Sequence, residues 1–149
     1  MRVGRILGLD PGTSTTGYAV LAGQDIIERG TLKCRVSTTS LWPLVGSCIK
    51  VAKFHKCAVV CCDSWGYRYE GSIKSSRLQE QMRNELSAAL ARHNIPLMLV
   101  FADEAKKKWS KSDLALAYPH LRNEHERDAA RHALEAKALL AMKVVGGMH

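Results

Sequence analysis

Arg5-Ile6-Leu7-Gly8-Leu9-Asp10-Pro11-Gly12 is a short apolar run that stops at an acidic residue and a Pro-Gly pair. A run of this length, closed by strong turn formers, predicts a buried β-strand with Asp10 at its mouth. Beyond the polar loop Thr13 to Thr16, Gly17-Tyr18-Ala19-Val20-Leu21 and Ile26-Ile27-Glu28-Arg29-Gly30-Thr31-Leu32 read as two further strands. The short connection from Ala22 to Asp25, with Gly23 inside it, suits a hairpin. An antiparallel three-strand meander is the expected start of the fold.

Further along, Leu41, Leu44, Val45, Cys48, Ile49 and Ala52 recur at helical spacing behind Ser40, a candidate N-cap, with Pro43 tolerated in the first turn. Ala58 to Cys62 is a continuous apolar run, as expected of a central strand covered on both faces, and Asp63 closes it. Leu78, Met82, Leu86 and Leu90 line one face of a second helix that starts near Ser76, where Gln79 completes capping-box spacing, and ends near His93-Asn94. Ile95 to Phe101 reads as a fifth strand, with Pro96 at its start. The basic stretch Lys106-Lys107-Lys108-Trp109-Ser110-Lys111 follows, then an alanine-rich helix from about Glu124 to Met142. The order βββαβαβα predicts one α/β domain over residues 1–149: a five-stranded mixed sheet, the meander plus two parallel strands, with helices on both faces.

Charge bears on the partner. The 22 Lys and Arg outnumber the 14 Asp and Glu, giving a formal net charge of +8, which favours a polyanion such as nucleic acid. No apolar run approaches the roughly 20 residues of a membrane span, and the first residues lack a signal peptide's apolar core, so a cytoplasmic protein is expected. The five cysteines, Cys34, Cys48, Cys57, Cys61 and Cys62, are odd in number and lack paired C-x-x-C spacing. Reduced thiols are expected, with Cys61 and Cys62 as small buried hydrophobes rather than zinc ligands.

The chemistry rests on acidic residues at the ends of elements. Asp10 and Asp63 each follow a strongly apolar strand, and strand ends of α/β sheets are where ligands bind. Asp128 lies in the first turns of the last helix with His125 three residues earlier, so the two share a helix face. Any one of them has an ordinary explanation: a turn residue before Pro-Gly, a strand-end cap, a solvated residue favoured by the helix dipole. Together they form a set of hard ligands suited to Mg²⁺, with Mn²⁺ as a substitute, and two such ions clamp the attacking and leaving oxygens of a phosphodiester. Hydrolysis by activated water needs no serine or cysteine nucleophile, and no Ser-His-Asp or Cys-His set stands out. Just after Asp63, Trp65-Gly66-Tyr67-Arg68-Tyr69 interleaves aromatic and basic side chains, which suits base stacking with phosphate contact as well as simple anchoring.

Ile6 to Thr13, with Thr16-Gly17-Tyr18-Ala19-Val20, resembles the opening motif of the RuvC-like Holliday junction resolvases, of the RNase H-like superfamily. His125-Glu126-Arg127-Asp128-Ala129 is similar to the family's closing motif. The resemblance implies an RNase H-like fold and a divalent-metal-dependent endonuclease that acts as a homodimer, making paired nicks in four-way DNA and leaving 5′-phosphates. It implies Asp10 and Asp128 as metal ligands, with His125 as fourth ligand or proton-handling group and Glu124 as its fallback. The second acidic position falls on Asp63, where the family usually carries Glu, with Glu70 the fallback. It further implies that one of Trp65, Tyr67 and Tyr69 stacks on junction bases, with Arg68 beside them, and that Lys106, Lys107, Lys108 and Lys111 meet the DNA backbone. The Leu78, Met82, Leu86, Leu90 face is a dimer candidate, although the same spacing serves packing on the sheet. The compact length and divergent middle look more like phage-type relatives than the main bacterial form.

Three other readings compete. An RNA-processing nuclease similar to the YqgF type shares the opening Asp-x-Gly, as do sugar-kinase-like and actin-like ATPases, whose two-lobed cleft is too large for 149 residues. A non-catalytic nucleic-acid-binding protein on the same fold is disfavoured by the acidic set, because clustered carboxylates repel phosphate unless a cation neutralises them.

Overall fold

The computed structural model describes residues 4–12, 15–33, 41–63 and 73–146, without the side chains of 73–76 and 143–146. Its strands are β1 (Ile6–Asp10), β2 (Thr16–Ala22), β3 (Asp25–Leu32), β4 (Val59–Asp63) and β5 (Leu97–Val100). Its helices are α1 (Trp42–Phe54), α2 (Ile73–Ala91), α3 (Ala102–Lys108), α4 (Lys111–Ala117) and α5 (Glu124–Gly146). The strands form one sheet in the order β3-β2-β1-β4-β5. β2 pairs antiparallel with β1 and β3, whereas β4 pairs parallel with β1 and β5. The expected mixed sheet is therefore present, and the parallel pairs set the ends of β1 and β4 side by side.

Alternation along the strands divides the core. Leu7, Leu9, Val20, Val60 and Cys62 face α1 and α2, where they meet Leu44, Val45, Cys48, Met82, Leu86 and Leu90. Ile6, Ala19, Leu21, Cys61 and Val100 face α5 and α4, where they meet Ala129, Ala130, Ala133 and Leu114. Gly8 lies on this second face by the same alternation, and a Cβ there would overlap the carbonyl oxygen of Ala129. Glycine on the strand and alanines on the helix let α5 approach the sheet backbone to backbone.

Several expectations need correction. The Leu78, Met82, Leu86, Leu90 face does not stay open for a second copy: Met82, Leu86 and Leu90 are buried in the core and Leu78 packs against it. Leu41 is the N-cap residue of α1 and supplies no side-chain cap, while Ser40 lies outside the described residues. The second helix starts at Ile73, a turn ahead of Ser76. It ends as expected, with Asn94 at φ 58 where its backbone leaves the helix. α3 and α4 were not expected, since seven residues each is too short for a helical period to declare itself. Ser110 did carry a signal, for its side chain caps α4 by accepting from the Asp113 N–H at 3.1 Å.

At the far end of the sheet, the Gly23-Gln24 turn of the β2–β3 hairpin is tied down. Tyr118 donates to the Gln24 carbonyl at 2.7 Å, and Lys137 donates to that of Gly23 at 2.7 Å. Cys48, Cys57, Cys61 and Cys62 are buried outside any disulfide, and burial pushes Cys57 to about 11 and Cys62 to about 12. At neutral pH Cys57, Cys61 and Cys62 are therefore held as thiols, consistent with a packing role. No described helix is long and apolar enough to cross a membrane.

Candidate functional site

Asp10 ends β1 on the same face as Ile6 and Gly8, so its carboxylate is directed toward the start of α5. There, its Oδ2 lies 3.0 Å from Nδ1 of His125. Gly17, paired with Asp10 across β1 and β2, makes this contact possible, because a Cβ at Gly17 would overlap the His125 carbonyl oxygen. Two glycines thus set the helix close enough for His125 and Asp128 to face the strand end.

Burial raises the Asp10 pKa above the usual carboxylate range; the His125 hydrogen bond opposes this, and the nearby charge of Asp128 adds to it. His132 also approaches, its Nδ1 2.8 Å from the Leu9 carbonyl, which leaves it buried directly behind the end of β1. His125, Asp128 and His132 occupy one face of α5, three and four residues apart.

Asp63 ends β4 and shares with Asp10 a small pocket of about 40 Å³, whose other walls are Pro11, Gln79, Met82 and Arg83. One Asp63 oxygen lies 3.4 Å from the backbone N–H of Ala102 at the start of α3. Phe101, the residue between β5 and α3, is 61% exposed beside this contact. It is an aromatic surface that periodicity did not single out, because it read as the last residue of a strand.

The candidate ligands therefore gather at one end of the sheet: Asp10 lies at hydrogen-bond distance from His125, shares a pocket with Asp63 and feels the charge of Asp128. Among the described residues no three His, Cys, Asp or Glu side chains are drawn together tightly enough to enclose an ion. By donor type the set fits a hard divalent cation, and a half-buried Asp10 whose charge is disfavoured by Asp128 is a place where such a cation would relieve repulsion. It does not fit zinc bound through thiolates, since the described thiols lie inside the core.

Asp128 is not open on all sides. Its Oδ1 accepts from the Arg131 guanidinium at 2.6 Å, and the same nitrogen donates to Glu124 Oε1 at 2.8 Å. The Arg131 Nε donates to the Trp109 carbonyl at 2.8 Å, which ties the α3–α4 junction to α5. Hydrogen bonds from Arg131, then Arg127, hold Glu124 below the usual carboxylate range. Glu124, the fallback for His125, is committed to these two arginines.

The four lysines of the basic segment divide. All four are exposed, but Lys107 lies 3.6 Å from Glu104, and Lys108 reaches back to both carboxylate oxygens of buried Glu135 at 3.0 Å. Lys108 thus has a structural partner that a run of lysines does not reveal. Trp65, Tyr67, Arg68, Tyr69 and Glu70 lie outside the described residues.

Neither a protein-family model nor a curated protein matches the sequence. Solved structures do. The chain is similar to Thermus thermophilus RuvC in complex with a Holliday junction substrate, at 17% identity and TM-score 0.70, over 89% of this chain and 91% of that one. It is similar to the yeast mitochondrial Holliday junction resolvase, at 15% identity and TM-score 0.58, over 91% of this chain and 78% of that one. It is also similar to the fowlpox virus resolvase in complex with Holliday junction DNA, at 12% identity and TM-score 0.56, over 91% and 98%. The chain thus has the RNase H-like fold of RuvC-type resolvases, as the two end motifs implied.

Proposed function

We propose that this chain is a structure-selective DNA endonuclease, dependent on a divalent metal, that resolves four-way junctions by paired nicks. The observation that carries the reading is the meeting of Asp10 with the first turns of α5, enforced by Gly8 and Gly17, in a fold whose solved relatives include two resolvases bound to Holliday junctions.

Asp10, Asp63, Asp128 and His125 would hold the metal, Mg²⁺ or Mn²⁺, which when bound supplies charge neutralisation and activation of water for phosphodiester hydrolysis. Asp10 and Asp128 concentrate negative charge at the strand end. His125 lies at hydrogen-bond distance from Asp10, where its imidazole can hold or pass a proton. Lys106, Lys107 and Lys111, exposed on α3 and α4, are placed to meet phosphates, and such contacts position DNA without reading sequence. Symmetric cutting requires two copies; the Met82-Leu86-Leu90 face is already spent within one chain, so a dimer would use another surface.

The test is cleavage of a labelled four-way junction beside matched linear duplex and duplex RNA, with Mg²⁺, Mn²⁺ or EDTA. Metal-dependent paired nicks, lost in Asp10→Asn and Asp128→Asn while junction binding persists, are the expected result. Cutting of RNA alone would move the protein to an RNA-processing role. Binding without cleavage under any metal would end the enzyme reading.

A further inference from the structure

Among the described residues, Arg131 is a tightly constrained charged group. It is 5% exposed and makes three hydrogen bonds between 2.6 and 2.8 Å: to Asp128, to Glu124 and to the Trp109 carbonyl. Burial works against its charge, and the bonds to Glu124 and Asp128 more than compensate. A guanidinium can serve all three acceptors because its donors form a rigid fork; an ammonium on a flexible stem cannot hold the same arrangement.

The geometry points to Arg131 as a positioning residue: it commits one oxygen of Asp128, presents the other to the metal, and supplies a permanent positive charge that moderates the affinity of the site. This rests on the metal-dependent nuclease reading above. With Oδ1 held by Arg131, Asp128 can serve the cation through a single oxygen in a set orientation. The charge acts in the opposite direction, since a guanidinium bound to a ligand repels a divalent cation at the same carboxylate. The two effects separate experimentally. Removing the arginine strengthens cation binding and weakens catalysis, whereas the loss of a merely structural residue weakens both. The bond to Trp109 adds a physical link from the lysine-bearing α3–α4 segment to Asp128.

The test is calorimetric titration of the full-length, DNA-free protein with Mn²⁺, for wild type, Arg131→Gln and Arg131→Lys, with folding checked by circular dichroism melting. Arg131→Gln is expected to bind Mn²⁺ roughly threefold or more tightly, because a neighbouring positive charge is gone. At saturating Mn²⁺ its junction cleavage is expected to fall by about tenfold, the scale of losing a group that orients a ligand. Arg131→Lys retains the charge without the fork, so its Mn²⁺ affinity should stay near wild type while cleavage drops. Unchanged or weaker Mn²⁺ binding by folded Arg131→Gln would overturn the proposal and leave the nuclease reading intact. Should Arg131→Gln fail to fold, wild-type cleavage by Arg131→Lys would overturn it instead. Absence of Mn²⁺ binding by the wild type would remove the metal reading itself, and this proposal with it.

Discussion

The two faces of the sheet are built on opposite rules. Toward α1 and α2 the contacts are between large aliphatic side chains, Leu7, Leu9 and Val60 against Leu44, Leu86 and Leu90. Toward α5, large side chains such as Ile6, Leu21 and Val100 also pack, but two glycines bring the helix backbone against the strands, Gly8 against Ala129 and Ala133, and Gly17 against His125. The first face gains stability from apolar area removed from water. The second gives up some of that area so that a helix comes near enough to set polar side chains against the end of β1. The burial of Glu126, Arg131, His132 and Glu135, all on α5, follows from that choice. Both faces hold the protein together, and the close approach of α5 also sets polar side chains at the end of β1.

On this contrast, enlarging the close face should do more damage than trimming the bulky one. Gly8→Val is expected to cost about 3 kcal/mol or more, the upper end of overpacking, because the obstacle is the Ala129 backbone rather than a movable side chain. Urea denaturation measures it, and a cost below that of Leu86→Ala would break the comparison. Leu86→Ala should itself cost about 3 kcal/mol through the cavity it leaves, with cleavage per folded molecule preserved.

Lys108→Ala sharpens the comparison in the polar layer. It strips buried Glu135 of its cation and should cost about 2 kcal/mol, with a stability loss larger than any change in junction affinity. Equal stability with weakened DNA binding would return Lys108 to the phosphate-contacting set.

The smallest stability effect has the opposite sign. Because the Asp10 pKa is raised in the fold, the metal-free native state holds that proton to higher pH than the unfolded chain. Stability is therefore withdrawn as pH rises from the ordinary carboxylate range through the raised value. Asp10→Asn, measured in EDTA at neutral pH, should melt slightly above wild type. In metal its junction cleavage should fall by more than about a hundredfold. A melting point lower than wild type would show that the strand end tolerates the bare carboxylate.

The sheet and its acidic ends were legible because strong local patterns write them: apolar runs closed by Asp10-Pro11-Gly12 and by Asp63, and a hairpin marked by Gly23. The first and last motifs also carried the resemblance that led to the fold. α3 and α4 escaped because seven residues do not display a period, although the Ser110 and Asp113 cap signalled the second of them.

The sequence alone therefore determined that Asp10 and Asp63 end their strands, which face of the second helix is apolar, and that His125 and Asp128 share one face of the last helix. These are properties of neighbours along the chain, governed by periods of two and 3.6 residues. Only the tertiary structure decided that the apolar face of α2 is spent on the sheet, that Lys108 belongs to Glu135, and that Arg131 holds Asp128, Glu124 and the Trp109 carbonyl together. The partners of a long charged side chain are chosen by what the fold brings within its reach, and no local pattern records that distance.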